Sequence, residues 1–277
     1  MSDRTILITG CSSGIGLDAA RELRGRGWRV FASCRQEVDC ERLRGEGFES
    51  PRIDYCDPAS IKDGVARVLS QTSGRLDALF NNGAHGLSAA VEDLPTDALR
   101  DIFESNLFGW HEIALAVLPV MRAQGHGRII QCGSVLGYTT MRWRGAYSAT
   151  KHALEALTET MRIELRGTGI HVVLIEPGPI TTDFRRKGIP YFERWIDWQA
   201  SPNRAAYETD LRPRLYDERG GLDPFELPAS AVTRQLIRAL EAPNPTPRYF
   251  VTKLAYIARF LRRVLPDRAV ERILTRI

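Results

Sequence analysis

Two side chains in this sequence have the types and spacing to move a proton together: Tyr147 and Lys151, in Tyr-Ser-Ala-Thr-Lys. At i and i+4 on a helix, a phenol and an ammonium share one face. A free tyrosine titrates near about 10, so bringing it to neutrality asks for roughly 3 pKa units, about 4 kcal/mol in favour of the phenolate. A neighbouring ammonium in a site of reduced dielectric supplies much of that by Coulomb attraction, and a bound cofactor carrying positive charge adds to it. The same spacing occurs on solvated helices, so the surrounding elements must decide.

The chain has room for such elements. Its 277 residues, 43% of them hydrophobic, can bury a large core as one sizeable domain or a domain with an insertion. No run of about 18 uncharged apolar residues is present, the length a membrane-spanning helix needs. The apolar stretch Thr5 to Thr9 is too short for a signal-peptide core, which leads us to expect a cytoplasmic protein. Cys11, Cys34, Cys40, Cys56 and Cys132 are odd in number and lack CxxC or zinc-like spacing, so reduced, inert thiols and no metal are expected. His111, His126, His152 and His171 show no ligand pattern either. Net charge is +4, but Lys253 to Ile277 holds seven basic residues against Asp267 and Glu271, leaving the rest of the chain close to neutral. The basicity belongs to a tail, and no nucleic-acid partner is expected.

Along the chain, Arg4 to Thr9 has the composition of a strand buried on both faces, and Gly10, Gly14 and Gly16 follow at once, before a helix-like Leu17 to Arg26. A strand, a glycine turn and a helix N-terminus make a phosphate cradle, although GxxxGxG departs from the usual GxGxxG spacing. A second strand, Trp28 to Ser33, ends without the carboxylate that would hold ribose hydroxyls. It runs instead into Arg35, whose guanidinium suits the 2′-phosphate of NADP. Arg52 to Asp54 is predicted as a short strand, with Asp54 placed to meet an adenine amino group. Leu76 to Phe80 ends in Asn81-Asn82-Gly83-Ala84, where a sharp turn and a ligand contact are equally open. A helix from Thr96 to about Arg122 carries Asn106 in its interior, a poor position for asparagine unless it has a partner. Arg128 to Cys132, with Ser134 just beyond, and Val172 to Ile175, leading into Glu176-Pro-Gly-Pro-Ile-Thr-Thr182, complete the alternation. The fold class expected is α/β: a Rossmann-type doubly wound parallel sheet with helices on both faces. Gly10, Asn81, Ser134 and Pro177 would all follow carboxyl ends of strands, the edge at which such sheets bind ligands.

In order and separation, Thr9-Gly-Cys-Ser-Ser-Gly-Ile-Gly16, Asn81-Asn82-Gly83, Asn106, Ser134, Tyr147 with Lys151, and Pro177-Gly178 resemble the short-chain dehydrogenase/reductase family. The glycine loop and the Glu-Pro-Gly-Pro-Ile turn further resemble bacterial NADP-dependent aldehyde reductases and retinol and 17β-hydroxysteroid dehydrogenases. Two departures stand out: Asn-Asn-Gly-Ala where Asn-Asn-Ala-Gly is usual, and Gly133 before Ser134 where serine is common. The resemblance implies an oxidoreductase in which Tyr147 is the acid or base at the carbonyl oxygen and Ser134 hydrogen-bonds the same oxygen. Lys151 would lower the phenol's pKa, chiefly with NADP bound, and bond the nicotinamide ribose, and Asn106 would position a relay water. The loop residues Gly10, Ser12, Ser13, Gly14, Ile15 and Gly16, with Asp54, Asn81, Pro177 and Gly178, would line the cofactor. Ile180 and Thr182 would take the carboxamide, and Arg35 with Ser13 the 2′-phosphate.

Residues 1–252 are expected to form this single domain, with an irregular lid at about 184–230 rich in aromatics such as Tyr191, Phe192, Trp195, Trp198 and Tyr207. With Tyr138, Met141 and Trp143 as opposite walls and His85 within reach, the lid suits a hydrophobic substrate. Residues 253–277 are expected to form a basic amphipathic helical extension, which packs on its own domain, caps the substrate cleft, lines a subunit interface or lies peripherally on an anionic membrane. A homodimer is implied by the resemblance. A dinucleotide-sensing regulatory or scaffold protein is the competing class, and it would need only the cradle.

Overall fold

The computed structural model describes residues 4–216 and 225–275, so part of the predicted lid and the last two tail residues lie outside the described residues. Among the described residues eight strands form: β1 (Thr5–Ile8), β2 (Arg29–Ala32), β3 (Ala78–Asn81), β4 (Gly127–Cys132), β5 (Ile170–Glu176), β6 (Ile180–Thr181), β7 (Leu227–Pro228) and β8 (Arg248–Phe250). Six make one parallel sheet in the order β2-β1-β3-β4-β5-β8, and β6 pairs with β7 beside it. Side-chain alternation divides the core between the two faces. In β1, Ile6 and Ile8 enter one cluster with Val30, Phe80 and Val173, whereas Leu7 enters the other with Phe31, Leu79 and Val172.

Helices cover both faces: α1 (Gly14–Gly25), α2 (Glu37–Gly45), α3 (Pro58–Gln71), α4 (Thr96–Phe103), α5 (Gly109–Gln124) and α6 (Gly145–Glu164). Helix α3 starts where Asp57 accepts a bond from Ser60 N at 3.1 Å and Pro58 takes the first turn, a position that needs no N–H. The doubly wound parallel fold is therefore as expected.

Three local expectations are corrected. Arg52–Asp54 makes only a single bridge, Cys34 to Arg52. Pro51 offers no N–H, and Asp54 folds into a turn by accepting from Cys56 N at 3.1 Å, so no ladder can extend. The long helix from Thr96 is split by a π-turn, Glu104–Phe108, that carries Asn106. Among its described residues the lid is largely helical: α7 (Phe184–Trp195), α8 (Arg204–Ala206), a π-turn at Tyr207–Leu211 and α9 (Arg212–Leu215) fold around a core of their own. Phe192 and Tyr207, both fully buried, meet Leu87, Ile102 and Trp143 there, so much of the aromatic content is packing. The chain ends with α10 (Ser230–Glu241), α11 (Lys253–Val264) and α12 (Asp267–Leu274), the last two separated at Pro266 as the sequence predicts.

Candidate active site

The chain runs from β1 to β2 on one side and returns to β3 on the other, which makes the gap between β1 and β3 a topological switch point. Gly10 turns there with φ of +69°, and a Cβ on it would stand 2.4 Å from the Cα of Gly83. A Cβ on Gly16 would meet the carbonyl oxygen of Gly10 at the same distance. The loop thus closes without side chains and opens into the N-terminus of α1, where Ser13 is the cap residue. Asn82 ties it to β3, donating its backbone N–H to Thr9 Oγ1 at 3.0 Å and its Nδ2 to Thr9 O at 3.2 Å. Asn81, by contrast, is buried and donates to Trp110 O at 3.1 Å, so its side chain does not reach the loop. The unusual Gly83 also has a cause: a Cβ there would press on the Tyr55 ring at 2.9 Å.

Opposite the loop, the candidate residues Ser134, Tyr147 and Lys151 lie near one another. Ser134 follows β4, and its Oγ accepts Leu136 N–H at 3.1 Å, which leaves the hydroxyl proton free to donate. Tyr147 and Lys151 occupy successive turns of α6, with Nζ 5.6 Å from the Tyr147 ring. Lys151 is only 1% exposed, donates to Cys132 O at 2.8 Å and lies 4.1 Å from the centre of the Trp110 ring. Burial lowers its pKa to about 8. Burial likewise pushes the Tyr147 phenol well above its ordinary value, outweighing the opposing effect of Ser134. In the protein alone, then, desolvation sets the direction of the shift. Asn106 finds the partner its position demanded: it accepts from His85 N at 3.1 Å, donates to His85 O at 2.9 Å, and lies 3.5 Å from Thr150 Oγ1.

Behind Ser134 lies a group to which the sequence gave no role. Glu176, fully buried at the end of β5, accepts Ser134 N–H at 3.0 Å. Glu155 of α6 stands beside it, and Arg248 of β8 donates to Glu155 at 2.8 Å while its Nε stays 3.9 Å from Glu176. Burial first, and then Glu155, holds the Glu176 carboxyl well above the usual carboxylate range. A Cβ on Gly133 would stand 2.6 Å from Glu176 Oε2, so any other residue there would have to displace that carboxyl. The second departure from the family pattern is therefore tied to the acid that holds Ser134.

Helix α7 lies across the groove. Phe184 packs edge-on against Tyr147 (5.3 Å), Lys187 donates to Ser13 Oγ at 2.6 Å and Ser12 Oγ at 3.2 Å, and Arg35 donates to the Tyr191 hydroxyl at 2.7 Å. Lys187 carries no sequence signal, because its partners lie more than 170 positions away. Thr182 closes the turn from Pro177 and Gly178 against Gly14, Ile180 sits in β6, Ile15 packs on the core in the first turn of α1, and Asp54 stays half-buried at the sheet edge beside Arg35. The substrate walls need correcting. His85 is buried, stacks on Tyr191 at 3.6 Å and meets Ser105 Oγ at 2.9 Å, and desolvation lowers its pKa to about 3, so it seats the lid as a neutral ring. Tyr138 turns its hydroxyl to Ala255 O (2.8 Å), Trp143 donates to Asp210 at 2.7 Å inside the lid core, and Met141 is exposed. Tyr191, the fifth, lies beside Arg35.

Among the described residues no group of three or more His, Cys, Asp or Glu could hold a metal, and no helix is long and apolar enough to cross a membrane. An α/β sheet that reserves its carboxyl edge for a side-chain-free phosphate cradle is a nucleotide-binding fold. Residues 4–189 match the family described as short chain dehydrogenase. The chain is 35% identical over 271 residues to the oxidoreductase YbbO of Escherichia coli K12, covering 98% of this chain and 94% of that one. To human 17-beta-hydroxysteroid dehydrogenase type 1 it is 32% identical over 277 residues, covering 91% and 79%. A variant of the actinorhodin polyketide ketoreductase solved with NADPH aligns with a TM-score of 0.71 and 28% identity, over 90% of this chain and 95% of that one. The chain belongs to the short-chain dehydrogenase/reductase family and is an oxidoreductase of that family.

Proposed function

We propose that the protein is an NADP(H)-dependent reductase of hydrophobic carbonyl compounds, with Tyr147 as the general acid in reduction and the general base in the reverse direction. The observation that carries this reading is the convergence of Tyr147, Lys151 and Ser134 on the groove that the glycine loop opens. The residues fit a dinucleotide: Gly10 and Gly16 leave no room for a Cβ, and Ser12, Ser13, Arg35 and Lys187 offer hydroxyls and cations to phosphates. When bound, a nicotinamide supplies the hydride. Tyr147 donates the proton to the carbonyl oxygen, and the free Ser134 hydroxyl proton donates to the same oxygen and steadies its developing charge. Lys151 stabilises the phenolate left behind. Apolar surroundings at Tyr147, notably Phe184, and the steroid named for one relative support an apolar carbonyl. The test is NADPH oxidation against aliphatic aldehydes, retinal and steroid ketones; failure to reduce any of them defeats the proposal.

Arg35 is the residue that should set cofactor choice. Arg35→Asp removes a bidentate phosphate partner and adds a repelling charge, so the ratio of NADP to NAD affinity should fall by about 100-fold. An unchanged ratio in fluorescence titrations of both cofactors takes Arg35 out of the 2′-phosphate site. In the structure Tyr191 competes for that guanidinium. Tyr191→Phe should therefore tighten NADP about threefold, a modest effect because Arg35 is exposed and its bonds are screened. Weaker binding in that variant would mean the tyrosine hydroxyl serves the cofactor itself.

A further inference from the structure

Helix α11 already has an inward face. Ala255 is buried, Leu254, Ala258 and Leu261 are half-buried with it, and Ala255 O receives the Tyr138 hydroxyl at 2.8 Å. Its outward face is also apolar: Tyr256 is 57% exposed, Ile257 45%, Phe260 64% and Val264 54%. Residues 256, 260 and 264 follow one another at i+4 and 257 lies alongside, so they form one stripe along the helix. A contiguous apolar stripe of this kind on the surface marks an interaction site. Lys253 and Arg263 stand exposed along the same arc, and neither has an anion within ion-pair reach among the described residues. Across Lys253–Val264 there are four cations, Lys253, Arg259, Arg262 and Arg263, and no carboxylate.

That combination selects the partner. A second copy docked on this stripe would bring two sets of uncompensated cations together, whereas an anionic bilayer supplies both the apolar depth and the opposite charge. We infer that α11 lies on an anionic lipid surface, with Tyr256, Ile257, Phe260 and Val264 entering the headgroup boundary and Lys253 and Arg263 meeting lipid phosphates. The helix is joined to the site: Arg262 Nε donates to Tyr138 O at 3.3 Å, and Tyr138 ends the turn that begins at Ser134. Docking would therefore bring the mouth of the site close to lipid, where apolar carbonyls concentrate. This consequence rests on the proposed reductase activity; the binding does not.

The experiment is co-sedimentation of the full-length protein with vesicles of phosphatidylcholine alone or mixed with phosphatidylglycerol, beside sedimentation equilibrium without lipid. Binding should be strong only to the mixed vesicles and should weaken with salt. The doubly substituted Lys253→Gln, Arg263→Gln protein should bind about 30-fold more weakly, at roughly tenfold per 1.4 kcal/mol and about 1 kcal/mol per basic residue. Phe260→Ser with Val264→Ser should also lose binding, with its melting temperature unchanged because both side chains are exposed. If either pair fails to fold, the other carries the test. No binding to mixed vesicles, or binding by both variants as strong as the parent's, overturns the inference. So does a dimer in lipid-free buffer that the Phe260 variant loses, since the stripe would then be a self-interface.

Discussion

Tyr147→Phe should lower kcat for carbonyl reduction by about 1,000-fold while leaving the cofactor Kd within about threefold, the size of effect expected for loss of a positioned proton donor. Only the hydroxyl is removed. The ring keeps its contact with Phe184 at 5.3 Å, and Lys151 stays anchored on Cys132 O, so the groove should keep its shape. The pH dependence adds a second readout. With its pKa raised by burial, the Tyr147 phenol keeps its proton throughout the ordinary range and remains competent as an acid. Lys151, lowered to about 8, is charged below that pH and neutral above it, so support for the phenolate fades as pH rises. The kcat/KM of reduction, which reports the free enzyme, should fall through a pH of about 8, and Lys151→Met should erase that limb. Stopped assays with NADPH and any reducible carbonyl, with fluorescence titration of the cofactor, measure both. Turnover within tenfold of the parent would move the acid role away from Tyr147.

What was legible in the sequence was local. The glycine loop, Ser134 and the Tyr147–Lys151 pair are each set by a few consecutive residues whose backbone demands, such as Gly10 at positive φ, are written in their types. The strands were legible because β1 to β5 are buried on both faces and so nearly continuously apolar. What escaped depends on contacts distant in sequence. Of the two asparagines in Asn81-Asn82, alternation along β3 sends the first into the core toward Trp110 and only the second to the loop, a choice that composition does not encode. The lid looked irregular because Gly188 and Pro190 interrupt its pattern. Helix α7 forms nonetheless around the buried Phe192, with Gly188 set so close to the chain that a Cβ on it would stand 2.9 Å from the carbonyl oxygen of Gly86. Lys187 and Arg248 find their partners only once the chain has folded.

Glu176→Ala should lower both kcat, by about 10- to 100-fold, and the melting temperature, because Glu176 is the acceptor of the Ser134 N–H, and that residue is half-buried. An N–H left without its acceptor costs about 1–3 kcal/mol, and a small displacement of a positioning hydroxyl is enough to slow reaction by such factors. Glu176→Gln separates position from charge. The amide oxygen can still accept from Ser134, while its N–H₂ replaces the proton that burial and Glu155 keep on the carboxyl, so kcat should stay within a few-fold of the parent. The stability of the two proteins should then diverge with pH. An acid whose folded pKa is raised holds its proton more tightly when folded; its contribution is full below the unfolded value of 4.5 and is lost as pH climbs toward the folded one. Glutamine has no proton to lose, so the melting temperature of Glu176→Gln relative to the parent should rise between pH 5 and pH 8, the window above 4.5. A constant difference across that window would mean Glu176 is already ionised beside Arg248 and that Ser134 is held by a carboxylate.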